Sequence, residues 1–330
     1  MPKSANQKLK LLYIIDILER MTDEKHPMNT AQLIIELEKY DIKAERKSIY
    51  DDIEQLIQFG YDIILNKSRI NGGYYMASRK FELPELKLLV DSVQASRFIT
   101  QKKSRELIRK LEKLCSVYDG AQLKRQVYVL HRVKTDNESI YYNVNDIYNA
   151  IQENKQITFK YLEWNMDKKK VARKNEMLYQ ISPWSLTWNE ENYYLIAYDE
   201  QHDMIKHYRV DKMKDIALIS KKRLGNQAFD NFDVADYCNK TFGMYGGEEM
   251  TISLRFPNEL SGVVIDRFGT EVTFRKEDND SFSVRIQVAV SNQFFGWLAG
   301  IGKDVKILSP VSVKEQYRQY LQSIMDSMQQ

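Results

Sequence analysis

Residues Tyr179 to Met213 read YQISPWSLTWNEENYYLIAYDEQHDMIKHYRVDKM. Two apolar, aromatic-rich runs, Leu178 to Trp188 and Tyr193 to Tyr198, flank the polar turn Asn189-Glu190-Glu191-Asn192. A third run, His207-Tyr208-Arg209-Val210, follows the polar stretch Asp199 to Asp203. Short apolar runs bounded by turn residues spell an antiparallel meander. Upstream, Gln156 to Leu162 alternates as a strand and the basic Lys168-Lys169-Lys170 reads as a loop; downstream, Ile216 to Ile219 continues the sheet. The expectation is a small antiparallel barrel of five strands. Arg209 stands apart, because a guanidinium inside an apolar run is costly unless an acid or a ligand pairs with it. An internal bridge to Asp211 or Glu163 would make it structural; an anionic ligand would make it an anchor.

Working toward the N-terminus, Phe81 to Tyr118 has a helical pattern almost throughout, with Pro84 in a first turn and a break expected at Thr100 to Ser104. Leu86, Leu89, Val90 and Val93 form one apolar stripe, and Leu107, Ile108, Leu111 and Leu114 another, more than a small neighbouring domain covers. A homodimer is therefore expected. The basic Gln101 to Arg105 is read as a solvated helix face. Asp119-Gly120 reads as a break, Val127 to Val133 as a strand, and Asn143 to Glu153 as a helix capped by Asn143 or Asn145.

Three helices precede that region. Leu9, Leu12, Tyr13 and Ile17 form an expected inward stripe ending near Met21; Asn29 or Thr30 caps a second helix with Leu33, Ile34 and Leu37 inward. The third, Ala44 to Phe59, turns Ile49, Ile53, Leu56 and Ile57 to the core and stops at Gly60. A hairpin follows, Tyr61 to Leu65 and Ile70 to Tyr75 around a turn at Asn66 to Ser68. This order reads as a winged helix-turn-helix, with Arg46, Lys47, Ser48 and Tyr50 offered to duplex DNA and Lys67 and Arg69 to phosphates. Asp51 points outward too, where it either repels phosphate or accepts from a cytosine amino group.

Beyond the meander, Lys221 to Gly225 leads into a connector read as extended and polar, containing Asp230, Asp233 and Asp236, with a boundary at Gly243 to Gly247. Thr251–Phe256, Val272–Arg275, Phe282–Val288 and Val305–Leu308 read as strands, and Pro257–Phe268 and Asn292–Ala299 as helices. The order βαββαβ is that of the ferredoxin-like split unit. Val311 to Met328 closes as a helix.

The chain of 330 residues is 43% hydrophobic and 29% charged, carries a formal net charge of +3, and has no apolar run near the ~20 residues of a membrane span. Two or three domains, a cytoplasmic location and no membrane partner are expected. Residues 224–330 hold 10 Lys and Arg against 14 Asp and Glu, so nucleic-acid binding must rest on local patches. Cys115 and Cys238 are far apart, and the four histidines, His26, His131, His202 and His207, have no companion at metal-ligand spacing. No glycine motif for phosphate or dinucleotide binding occurs. Neither catalysis, a metal nor a cofactor is expected. Ser185, Tyr194, Tyr208 and Arg209, with Lys160, Tyr161 and Lys212 nearby in topology, combine cations with aromatic faces as small barrels do to hold nucleotides or single-stranded nucleic acid.

The meander also resembles a known family. Tyr193-Tyr194-Leu195 stands where WYL-domain bacterial regulators carry Trp-Tyr-Leu, Ser182-Pro183-Trp184 resembles their strand opening, and Tyr208 to Met213 resembles their Arg-hydrophobic-Asp-Arg-hydrophobic close, with Lys212 for Arg. The third helix, Ser48-Ile49-Tyr50-Asp51-Asp52, resembles the family's Thr-hydrophobic-Tyr-Arg-Asp, with Asp51 replacing Arg. The resemblance implies an α+β multidomain chain: a winged helix-turn-helix over 1–80, a helical dimerisation region over 81–142, an Sm-like WYL barrel over 143–224, and a ferredoxin-like WCX-type extension over 225–330. It implies a bacterial transcriptional regulator, expected to be a repressor, with Arg209 contacting the effector. The alternative is a nucleic-acid-binding accessory of a defence or DNA-repair system that does not regulate transcription.

Overall fold

The computed structural model describes residues 6–123, 134–230 and 232–329. The chain is a mixed α and β protein with several antiparallel sheets, divided into two compact units, Met1–Glu138 and Ser139–Gln330. The strand expected over Val127 to Val133 lies outside the described residues.

The first unit opens with α1 (Lys10–Met21), α2 (Thr30–Glu38) and α3 (Arg46–Phe59), followed by the antiparallel pair β1 (Ile63–Asn66) and β2 (Gly73–Met76). Asn29 caps α2 through a reciprocal bond with Gln32, and Gly60 closes α3 at φ 118°, a conformation that costs glycine nothing. Ile14, Ile17, Leu18, Leu33, Leu37, Ile49, Ile53 and Leu56 form the core with Ile63 and Met76 of the hairpin. Three sequence expectations need correction. The buried face of α1 is Lys10, Ile14, Ile17 and Leu18, while Leu9 and Leu12 are exposed, because a salt bridge carries Lys10 inward. Ile57 lies one position beyond the buried stripe and is exposed. The hairpin turn also extends over 67–72, leaving Ile70 in the loop.

Next come α4 (Leu83–Ala95), α5 (Gln101–Leu111) and α6 (Val117–Leu123). Glu82 and Glu85 form a capping box at α4, and Thr100 caps α5 by accepting from the Lys103 amide. The break therefore falls at 96–100, and Gln101 to Ser104 is already helical. Asp119-Gly120 lies within α6 rather than at a break. Leu86, Cys115 and Leu123 make a small core of their own with Leu83 and Leu111.

In the second unit, α7 (Ile140–Gln152) precedes β3 (Lys155–Trp164), β4 (Lys170–Ala172), α8 (Arg173–Glu176), β5 (Leu178–Asn189), β6 (Asn192–Asp199), β7 (Met204–Arg209) and β8 (Met213–Lys222). The helix begins before Asn143; that side chain is buried and donates to the Met213 carbonyl at 2.8 Å instead of capping. The five long strands run β8-β3-β5-β6-β7, and the short β4 pairs with the end of β3. Ile157, Phe159, Ile181, Leu195, Ala197, Tyr208, Val210 and Met213 are buried.

The connector is not extended. It forms α9 (Asn226–Phe229) and α10 (Val234–Lys240), the latter capped by Asp233, which accepts from the amides of Ala235 and Asp236. Then β9 (Glu248–Pro257), α11 (Ser261–Phe268), β10 (Phe274–Lys276), β11 (Ser281–Val290), α12 (Asn292–Ile301) and β12 (Lys306–Ser309) follow as βαββαβ, with strand order β10-β11-β9-β12. Their core is Ile252, Leu254, Phe256, Val284, Val288, Phe294 and Leu298, and α13 (Val311–Ser327) docks on it through Val313, Tyr317 and Tyr320.

Candidate functional site

Two groups of side chains carry chemistry, one in each unit. At the start of α3, Arg46 and Lys47 are exposed, and the Arg46 Nε donates to the Tyr50 hydroxyl at 2.8 Å with its guanidinium 5.7 Å from the ring centroid. Hydrogen bonds from Thr30 and Arg46 pull the Tyr50 phenol below its ordinary value. Ser48 differs from its neighbours. It is half-buried and accepts from the Lys10 ammonium, which reaches Asp52 at 2.5 Å. Lys67 and Arg69 are exposed in the hairpin loop, and Asp51 is exposed on α3.

In the five-stranded sheet, register sorts the aromatic and basic residues between two faces. Tyr194 lies opposite Arg209, while Ile196 lies opposite both Ser185 and His207, so these five share one face. Leu195 and Tyr208 lie opposite one another on the other face. There Tyr208, only 5% exposed, packs edge-on against Phe159 at 5.2 Å, with Tyr161 and Tyr179 completing a ring cluster. Burial drives the Tyr208 phenol far upward, and its hydroxyl finds no partner among the described residues. The Tyr161 hydroxyl accepts from the Arg209 backbone amide at 3.2 Å, and burial raises its pKa to about 12.

Arg209 makes two parallel bonds to Asp211, Nε to Oδ1 at 3.0 Å and Nη2 to Oδ2 at 2.9 Å. Burial opposes its charge, but Asp211 outweighs burial and the net shift is upward. Its side chain is 35% exposed, and Nη1 makes no hydrogen bond among the described residues. Lys212 is half-buried; burial, and then the charge of Arg209, lower its pKa. Arg209, paired with Asp211, and Lys212 beside it form a basic corner of the sheet. Lys160 is separate, bonded to Glu176 at 2.8 Å.

Comparison with known families matches residues 142–218 to the WYL domain and residues 248–325 to the WCX domain. This is a WYL-domain protein with a C-terminal WCX domain. Among solved structures, it is similar to proteasome accessory factor B/C (PafBC) of Arthrobacter aurescens, at 15% identity and TM-score 0.29, covering 98% of this chain and 49% of that one. The chain thus spans about half the length of that protein. It is also similar to a protein described as CRISPR Cas-related, at 13% identity and TM-score 0.37, covering 98% of this chain and 84% of that one.

The WYL domain contains residues that sequence reading passed over. His207 shares the face of Arg209, and its ring bridges to the connector: Nδ1 lies 3.0 Å from the Met244 carbonyl and Nε2 lies 2.6 Å from the Tyr237 hydroxyl. Burial lowers the His207 pKa, so the ring is neutral at pH 7, donating from Nδ1 to Met244 and accepting from Tyr237 at Nε2. Tyr194 and Ile196 pack with Met244, Phe229, Phe232 and Val234 of the same connector. The face of the WYL sheet that carries Tyr194, Ile196 and His207 is therefore partly roofed by the segment leading to the WCX domain. The spacing of Phe229, Phe232 and Tyr237 was the available signal, obscured by the aspartates between them.

Proposed function

We propose that this WYL protein is a transcriptional regulator, a repressor, whose N-terminal winged helix-turn-helix binds duplex DNA and whose WYL domain, an Sm-like barrel, takes a nucleotide or single-stranded nucleic acid. The βαββαβ strand order supports a ferredoxin-like reading of the WCX domain. The observation that carries the DNA assignment is the exposure of Arg46 and Lys47 at the start of α3 together with Lys67 and Arg69 in the adjoining loop, a pairing suited to one groove and its flanking phosphates. Ser48, tied to Lys10, serves to fix the helix as much as to touch DNA. The protein acts by binding, with no catalytic step.

Duplex affinity is expected to fall steeply with salt, and Lys67→Ala to reduce the magnitude of the log–log slope by about one unit without altering sequence preference. Lys47→Ala combined with Arg69→Ala should abolish a gel shift at moderate salt. Unchanged operator affinity in that double variant would turn the reading toward a nucleic-acid-binding accessory that leaves transcription alone.

The regulator is proposed to act as a homodimer through its linker helices and C-terminal extension, which supports an inverted-repeat operator. The expected stripes are only partly used within the chain: Leu86 and Val90 are buried, whereas Leu89 and Leu114 are exposed. Light scattering at micromolar concentration should give twice the chain mass; a monomer mass there excludes the dimer.

A further inference from the structure

The β3–β4 hairpin has a surface that neither the winged helix nor the Arg209 corner uses. Asn165 closes its tip from both sides: the Asn165 amide donates to the Lys169 carbonyl at 3.0 Å, the Lys168 amide donates to the Asn165 carbonyl at 3.0 Å, and the Lys169 amide donates to Asn165 Oδ1 at 2.8 Å. The turn is thus set before any partner arrives. Its side chains are unusually open. Met166 is 99% exposed and Trp164 56%, and Lys168 and Lys169 are exposed beside them. Lys170, cross-strand from Trp164, places its ammonium 5.1 Å from the ring centroid.

At the base of the hairpin, exposed Arg173 lies 3.5 Å from Glu163, and both act electrostatically on Lys212, the neighbour of Arg209. Register puts Glu163 and Val171 on one face of the ribbon and Trp164 and Lys170 on the other, with Lys168 and Lys169 at the tip. Basic groups thus lie at the Arg209 corner, at Arg173 on the base of the hairpin and at Lys168 and Lys169 on its tip, while the half-exposed Trp164 stands with Lys170 on the ribbon face opposite Glu163.

We propose that this hairpin is a second contact for single-stranded nucleic acid, so that the WYL domain takes an extended strand of several nucleotides in preference to a mononucleotide. The inference rests on the nucleic-acid reading of the Arg209 corner. Lysines at the tip and Arg173 at the base meet successive phosphates, and Trp164, flanked on one side by Lys170, offers a ring face for a base. An anionic membrane is disfavoured because the only fully exposed apolar side chain at the tip is Met166, between Asn165 and Asp167, and the basic groups continue along the ribbon. A preset turn also reduces the ordering cost of binding.

The test uses fluorescein-labelled oligothymidylates of about twelve and about three nucleotides with the full chain. Trp164→Ala with Lys168→Ala and Lys169→Ala should lower affinity for the longer strand about tenfold or more, and reduce its salt slope by about 1.4, at ~0.7 per lost phosphate contact. Affinity for the trimer should not change, and Arg209→Gln should weaken both oligomers. All three hairpin positions are surface residues, and an unaltered melting curve verifies folding. If Arg209→Gln loses both oligomers while the hairpin variant binds the longer one like wild type, the hairpin assignment is overturned and the nucleic-acid reading of the corner stands. If wild type binds neither oligomer, or binds phosphatidylserine vesicles through the hairpin instead, the nucleic-acid reading and the hairpin assignment are both overturned.

Discussion

Arg209→Ala is expected to lower affinity for an anionic effector by about a hundredfold, the loss that follows when a partly desolvated charged anchor is removed from its ligand. The same substitution should lower stability by only about 1 kcal/mol, because the Arg209–Asp211 pair is partly open to solvent and screened. Asp211 is less exposed than Arg209, so Asp211→Asn should restore part of that stability in the double variant while leaving effector binding lost. The internal partner drawn from the sequence is thus present as Asp211, which holds the fork through Nε and Nη2, and no hydrogen bond to Nη1 occurs among the described residues. An Arg209→Ala protein that melts markedly earlier yet binds effector like wild type would make the residue purely structural.

The second large effect is expected at Lys10. Its side chain is 9% exposed, held by Ser48 and Asp52 of α3. Lys10→Ala should destabilise that unit by about 2–4 kcal/mol, since Asp52, only 15% exposed, is left without its cation. Lys10→Met with Asp52→Leu should recover most of the loss, because a well-packed apolar pair replaces a buried ion pair at little net cost. Differential scanning calorimetry of the full chain reads both results. A Lys10→Ala protein within about 0.5 kcal/mol of wild type would show that the pair contributes little to the fold.

Lys10 also marks where sequence reading stops. The apolar period of α1 pointed to Leu9 and Leu12, and nothing local signals that a lysine turns inward, since the reason is Asp52 on another helix. The WCX βαββαβ unit was legible because helical and alternating periods succeed one another between turn residues, and its elements fall within a few positions of expectation. The five strands of the WYL sheet were legible for the same reason. Their faces are only half legible: alternation alone separates Tyr208 from Arg209, although residue type groups both as ligand contacts. Register places Tyr208 in the ring cluster and leaves Tyr194, Ser185 and Arg209 together on the opposite side.

The connector reads as extended from sequence because three aspartates outweigh the aromatic residues among them. Asp233 turned out to be a helix cap, and Phe229, Phe232 and Tyr237 pack over the sheet. His207 was visible in the sequence, but its bridge to Met244 and Tyr237 depends on chain far away and has no local signature.

An anion bound beside Arg209 is expected to change the hold of the first unit on duplex DNA. The direct measurement is fluorescence anisotropy of a duplex selected from random sequence by the full chain, titrated with and without saturating single-stranded oligonucleotide. The account expects duplex affinity to change at least about fivefold in wild type, a coupling of ~1 kcal/mol, and not to change in Arg209→Ala. Duplex affinity that is indifferent to the oligonucleotide in wild type, or that responds equally in Arg209→Ala, would contradict it.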